Sequence, residues 1–441
     1  MRERARPAGR APELRAAADG ESAAAAAAAT AEPELRRDCA VRRAETLIRL
    51  SGLREDPGAL REARAALEPL AGPLPGGPGG DPGPDPDADP AASAVPHPEL
   101  HLALGRVLLA LLPRTPDPAE RAALAEQAAA RLTAVLAAAP PGTAQVRVEL
   151  ADALRYLPAR LEDATGQLAA ALEDTGGEPE LRVAALLCLA RVHRERYARD
   201  ADPAALEDAA EAYGRARRLV PRDGEAFGEL LPEWGDVLLD RARSAGGRRF
   251  TGAAVRVLRE SRAAVPQSDP GAAHRLMRLA TGLRLRHAYE NDAVDLREAE
   301  YLLELAVRNS RGPLERARAW RDHGDVQQEI HGHTRAADRL DRAAESYRLA
   351  WRAALEADRE GRDDHEGREE HDGRAGREDT ALRLAARVQE SRGAVLERLA
   401  RPRAALEEYR AALQLWKRIG TDPDARSEGL RARVRALEAG Q

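Results

Sequence analysis

An all-α fold, an α-solenoid of stacked antiparallel helix hairpins, is predicted by three observations. The first is composition: aromatics make up only 3% of 441 residues. Ala, Leu, Arg and Glu dominate, so the chain buries small side chains between closely approaching helices rather than bulky ones in one deep core. The second is helical period. LEDAAEAYGRARRLVP puts Leu206, Ala209, Tyr213 and Ala216 on one face and Pro221 just past the last turn, and it places Ala212 toward solvent. The third is recurrence. Ala164, Ala209, Ala253, Ala299 and Ala343 are separated by 45, 44, 46 and 44 residues, the period of a hairpin that needs its neighbours to cover its apolar face.

Residues 1–32 are expected to be a disordered or frayed tail. The basic start MRERARPAGR is followed by alanines without larger apolar residues, and Asp19 and Glu21 precede them, which argues against a secretory leader. Residues 33–71 carry a first helical hairpin. Residues 72–98 are rich in Pro, Gly and Asp, which remove amide donors and add backbone entropy, and read as a linker.

Residues 99–358 hold the main array. Its first helices carry a large-small pair at Leu104-Gly105, Leu150-Ala151, Leu189-Ala190, Trp234-Gly235, Leu279-Ala280 and His323-Gly324. The small member lets the paired second helix approach closely. The steps from Ala190 to Ala209, Gly235 to Ala253, Ala280 to Ala299 and Gly324 to Ala343 are almost equal in length, so the hinge is nearly constant. Residues 359–379 are a polar insertion that interrupts the period. Residues 380–441 hold a terminal hairpin, marked by Gly393, Ala405 and Tyr409, and a capping helix.

This pattern resembles the tetratricopeptide repeat (TPR). Trp320, Gly324, Ala343, Tyr347 and Ala350 fit its signature, as do Ala209, Tyr213, Ala216 and Pro221. The terminal unit, in its step from Gly393 to Ala405, has the short hinge of the ordinary repeat. The middle units have a longer hinge and look like the arrays found beside CHAT protease domains in actinobacterial proteins. No protease domain is read here, so the resemblance implies only the array: a right-handed superhelix whose first helices line a concave groove for peptides or partner domains.

Charge and cysteine content narrow the function. Net charge is −5 with 32% charged residues, so no overall basic field exists to draw in nucleic acid or an anionic membrane. No stretch is long and apolar enough to span a bilayer. All but one of the 69 basic residues are Arg, the exception being Lys417, a bias of GC-rich coding. Cys39 and Cys188 form no C-x-x-C pair and read as buried thiols in a reducing, cytoplasmic setting.

His365 and His371 lie among carboxylates in the insertion but have no rigid support, so no metal is expected there. His323, His331 and His333 lack the HExxH pattern and read as structural, the last two as C-terminal helix caps. Arg275, Arg278, Arg284 and Arg286 form a basic stretch open to two readings, a solvated face or a surface for an acidic ligand.

No catalytic group and no cofactor is read from these residues, and a noncatalytic protein or peptide-binding scaffold is expected. A regulatory sensor for a signalling peptide or small ligand is the alternative, with a metal-dependent enzyme more distant. By position relative to the small residue, the groove is expected to present Arg191, Arg194, Asp236, Thr281, Arg284, Asp325 and Gln328. Arg suits peptide capture through its planar, bidentate donor geometry.

Overall fold

A computed structural model describes residues 7–27, 33–54, 57–74, 96–138, 142–175, 177–221, 225–244, 247–266, 268–363, 375–420 and 424–439. Among them there is no strand. The helices are α1 (Pro7–Ala27), α2 (Pro33–Arg54), α3 (Pro57–Ala71), α4 (Pro98–Leu111), α5 (Pro118–Ala137), α6 (Thr143–Leu154), α7 (Leu161–Glu173), α8 (Pro179–Asp200) and α9 (Pro203–Leu219). They continue as α10 (Glu225–Arg243), α11 (Arg248–Ala263), α12 (Ala272–Glu290), α13 (Ala293–Asn309), α14 (Pro313–Thr334), α15 (Asp338–Asp363), α16 (Ala375–Arg398), α17 (Pro402–Ile419) and α18 (Asp424–Ala439). From α2 to α17 they pack as consecutive antiparallel pairs, the stacked-hairpin architecture expected. The chain divides into two compact units, Met1–Leu219 and Val220–Gln441.

Local chemistry sets the helix ends. Proline opens α4, α5, α8, α14 and α17 at the first turn, where its missing N–H costs no hydrogen bond. The Asp117 carboxylate caps α5 by accepting from the amides of Ala119 and Glu120 at 3.2 and 3.0 Å, and Asp292 caps α13 through Val294 N–H at 2.9 Å.

Four of the first helices end on a residue in the left-handed region: Ala201 after α8, Asn291 after α12, Arg335 after α14 and Ala400 after α16, with φ of 54°, 59°, 61° and 55°. The first three stand at the same distance past the small residue of their own helix, Ala190, Ala280 or Gly324, whereas Ala400 follows Gly393 by about one helical turn less. The long hinge is therefore mostly one added turn of the first helix.

The small residue works as the repeat requires. A Cβ placed on Gly324 would lie 2.7 Å from the ring of Tyr347, and one on Gly393 would lie 2.6 Å from that of Tyr409. Both tyrosines are fully buried. Gly235 meets Leu258 and Gly105 meets Leu132 in the same way. Ala164, Ala209, Ala216, Ala299, Ala343 and Ala405 are at 0% exposure, and Tyr213 is equally enclosed. Trp320 is partly buried with its ring edge-on to His323, and α9 ends at Leu219, before Pro221.

Four expectations are corrected. Ala253 is only half-buried; its neighbour Ala254, at 0% exposure with Thr251 and Leu258 beside it, holds the packing position. That shift by one places the alanine midway in sequence between Ala209 and Ala299, and as far from Gly235 as Ala209 is from Ala190. The register is thus more regular than the Phe250–Val257 pattern implied. Ala212 is buried, because its position in the turn after Ala209 still falls within the apolar stripe of a packed helix.

The expected tail at 1–32 holds α1, which packs on α2 and buries Ala11 and Ala18, with Arg15 donating to Glu62 at 2.7 Å. Finally, α15 runs into the expected insertion and α16 starts within it, so only the middle of 359–379, with His365 and His371, lies outside the described residues. Most of the expected 72–98 linker lies outside them as well.

Candidate functional site

The site is built from the first helices of the second unit. There α10 touches α12, α12 touches α14 and α14 touches α16, while consecutive second helices make no comparable contact among the described residues. The first helices therefore form the inner row. Their facing side chains are joined by hydrogen bonds and ion pairs that repeat with the hairpins. Asp236 on α10 accepts from Arg278 on α12 at 2.5 Å. On α12, Arg284 reaches Glu329 of α14 with Nε at 3.1 and 3.0 Å and Nη2 at 2.7 Å, and Asp325 at 3.5 Å. Gln328 of α14 accepts from Arg398 of α16 at 3.0 Å. In the first unit Arg106 of α4 donates to Glu149 of α6 in the same manner, at 3.0 and 3.1 Å.

Arg284 and Tyr347 anchor this row. Burial pulls the Arg284 guanidinium toward neutrality, but hydrogen bonds and charge from Glu329, with Asp325 adding to them, prevail and hold it firmly charged. The Tyr347 hydroxyl donates to Asp325 at 2.5 Å and accepts from Gln328 Nε2 at 2.7 Å. Burial first, then the Asp325 carboxylate, push the phenol pKa far up, so it stays a donor. Asp325 and Gln328 are thus fixed by the same tyrosine that packs on Gly324.

Beside Arg284 lies a cavity of about 520 Å³, lined also by His287, Ala288, Asn291, Glu329, Gly332 and His333. His287 and His333 meet edge to face with ring centroids 5.5 Å apart. His287 Nδ1 lies 2.8 Å from the carbonyl of Asp292 and His331 Nδ1 lies 2.9 Å from that of Ala336. Each imidazole fastens the turn after its helix, as the capping reading of His331 implied.

The expected groove residues thus divide. Asp236, Arg284, Asp325 and Gln328 come together along the inner row. Thr281 turns its hydroxyl back to the carbonyl of Met277 at 2.9 Å. Arg191 and Arg194 belong to α8 in the other unit, both half-buried. Glu329, Tyr347 as a hydrogen-bonding group, Arg398 and the His287–His333 pair escape the sequence reading. Arg106 with Glu149, Asp236 with Arg278 and Arg284 with Glu329 are opposite charges set close to one repeat apart, so charge pairs near the repeat spacing are the available signal.

Elsewhere in the second unit, ligand atoms of Glu300, Glu304 and His323 lie within 4.8 Å of one another. His323 Nδ1 meets the Ser346 hydroxyl at 2.9 Å, and that hydroxyl donates to the Arg342 carbonyl, so Nδ1 carries the proton. Nε2 is then an acceptor, 3.2 Å from the Gln327 amide. Burial lowers the imidazole pKa and keeps it neutral. These three could hold a divalent cation, although Glu300 is engaged by Arg339 at 2.6 Å and by Gln327 at 2.8 Å. Cys39 and Cys188 are buried free thiols, and burial pushes that of Cys188 far up.

No protein-family model matches the sequence, and no curated protein matches it. Among solved structures the chain is similar to a monomeric mutant of IFIT1 with Gppp-AAAA, at 13% identity and a TM-score of 0.36, over 91% of this chain and 71% of that one. It is likewise similar to a further IFIT1 mutant with m7Gppp-AAAA, at 12% identity and a TM-score of 0.36, over 92% and 72% of the two chains. No helix among the described residues is long and apolar enough to cross a membrane.

Proposed function

We propose that this protein is a noncatalytic interaction module that captures a protein or peptide partner along the inner row of its first helices, in a cytoplasmic setting. The observation that carries this reading is the fixed polar row of the second unit. Asp325, Gln328, Glu329 and Arg284 stand on adjacent helices, oriented by Tyr347 and by one another, beside a cavity of about 520 Å³. Polar groups locked in place bind without a large ordering cost, which suits recognition of an extended chain. The resemblance of the long-hinge repeats to arrays beside CHAT proteases supports a role as recognition partner of a separately encoded effector.

The test is affinity purification from the native host with the wild-type chain and two variants. One carries Arg284→Gln with Glu329→Gln on the inner row; the other carries Val294→Arg with Tyr301→Arg on exposed parts of α13. The inner-row variant should lose the principal partner, with helical circular dichroism unchanged. Retention by that variant and loss by the α13 variant would move the interface to the second helices.

A further inference from the structure

Of the four arginines in RLMRLATGLRLRH, three have carboxylate partners. Arg278 pairs with Asp236, Arg284 with Glu329 and Asp325, and Arg286 with Asp295. Arg275 does not. Its Nη1 donates to the carbonyls of Gly228 and Ser261 at 2.9 and 3.4 Å and to the Ser261 hydroxyl at 2.9 Å, all neutral acceptors. Asp269 is the carboxylate whose field it feels, but Asp269 turns one oxygen to the amide of Gly271 at 2.7 Å and makes no ion pair with Arg275. The guanidinium is therefore held in one orientation by one nitrogen, with its charge unbalanced by contact.

This side chain lines a cleft of about 300 Å³ where the C-terminal ends of α11 and α13 meet the start of α12. The volume sits at the lower edge of small-ligand sites, roughly 300 to 1,000 Å³. Val265, Pro266, Leu276 and Leu305 give it an apolar wall. The other polar side chains on it are those of Asn309, which is neutral, and Arg262, which makes no ion pair among the described residues. A partly buried cation without a directly contacting carboxylate among the described residues, facing an apolar wall, favours a ligand that brings a negative charge on one end and hydrocarbon on the other.

We infer that this cleft binds a small monocarboxylate with a short apolar body, its carboxylate on Arg275 and Arg262 and its hydrocarbon against Leu276, Leu305 and Val265. The site lies apart from the polar row of the first helices and stands whether or not a partner binds that row. Asn309 supplies a neutral donor and acceptor at the rim, and Nε and Nη2 of Arg275, which the bonds of Nη1 leave unused, are the fork that would take a carboxylate.

The experiment titrates octanoate, octanamide and acetate into the full chain with 13C-labelled Leu and Val methyls. Octanoate is expected to give saturable shifts at Leu276, Leu305 and Val265. Octanamide, which lacks the charge, and acetate, which lacks the hydrocarbon, should each bind at least about tenfold more weakly. Arg275→Gln should weaken octanoate by about tenfold. Because Arg275 also braces Gly228 and Ser261, Ala263→Glu, which sets a competing carboxylate at the exposed mouth of the cleft, is read beside it and should weaken octanoate similarly. Absent or scattered methyl shifts, octanamide binding equal to octanoate, or octanoate binding undiminished by Ala263→Glu would overturn the assignment.

Discussion

The hairpins α14/α15 and α16/α17 share one packing core and differ in how far the first helix runs beyond it. In both, a glycine of the first helix receives a buried tyrosine of the second: Tyr347 on Gly324, Tyr409 on Gly393. In α16/α17 the first helix stops soon after its glycine, at the left-handed Ala400; in α14/α15 it continues about one turn further, to Arg335. The added turn of α14 carries His331, Gly332 and His333, and the matching turn of α12 carries His287 and Asn291. These residues line the cavity beside Arg284 or fasten its turns. Packing register and hinge length are thus separable: the glycine contact sets how two helices meet, and the turn beyond it is free to carry a binding surface.

The largest effect should come from breaking the shared contact. Gly324→Ala and Gly393→Ala each add a Cβ that meets a buried ring below 3.0 Å. The better helix propensity of Ala, worth about 1 kcal/mol, is outweighed by overpacking. A net loss of about 1 to 3 kcal/mol is expected, read as a lower melting temperature. Gly166→Ala in α7 meets nothing within 4 Å and should gain up to about 1 kcal/mol. Equal behaviour of all three would separate the tyrosine contact from stability. Ala209→Leu, at a site with 0% exposure, should cost a similar amount, and Ala204→Leu at an exposed position almost nothing.

That contact is also the legible part of the sequence. A small residue in one helix and a large one a fixed distance on is a pattern that packing imposes, and it predicts the hairpins, their order and the hinge. Ala253 is misplaced by one because Phe250, Ala253 and Val257 imitate the periodicity that Thr251, Ala254 and Leu258 actually use; burying a threonine hides the stripe. Helix α1 escapes notice because its alanine-rich face gives little hydrophobic contrast, and its burial depends on α2. At the site, helical position puts Arg284, Asp325 and Gln328 on one face. Their partners are not legible, since an ion pair such as Arg284 with Glu329 depends on how neighbouring hairpins stack.

A smaller effect tests the hinge. Ala201 and Arg335 occupy left-handed backbone at φ of 54° and 61° without the freedom of glycine. Ala201→Gly and Arg335→Gly should each stabilise by roughly 0.5 to 1 kcal/mol, and Asn291→Gly by less, because asparagine tolerates that region. Thermal melts ranking Asn291→Gly as the most stabilising would contradict this origin of the long hinge.

The smallest predicted change comes from the buried imidazole of α14, on the face that packs against α15. Burial lowers the folded pKa of His323 below its ordinary value of 6.5, with Arg339 and Arg342 acting in the same direction and Glu300 and Glu304 opposing. Above both pKa values the folded and unfolded states are equally unprotonated and nothing is gained or lost. As the pH falls through 6.5 the unfolded chain binds the proton first, so stability declines until the folded pKa is also passed. One proton limits this slope to about 1.4 kcal/mol per pH unit, and partial titration keeps the observed change well below that ceiling. His323→Gln should therefore lessen the fall in melting temperature between about pH 7 and pH 5. A fall undiminished in His323→Gln would mean that burial does not hold the imidazole neutral in the folded chain.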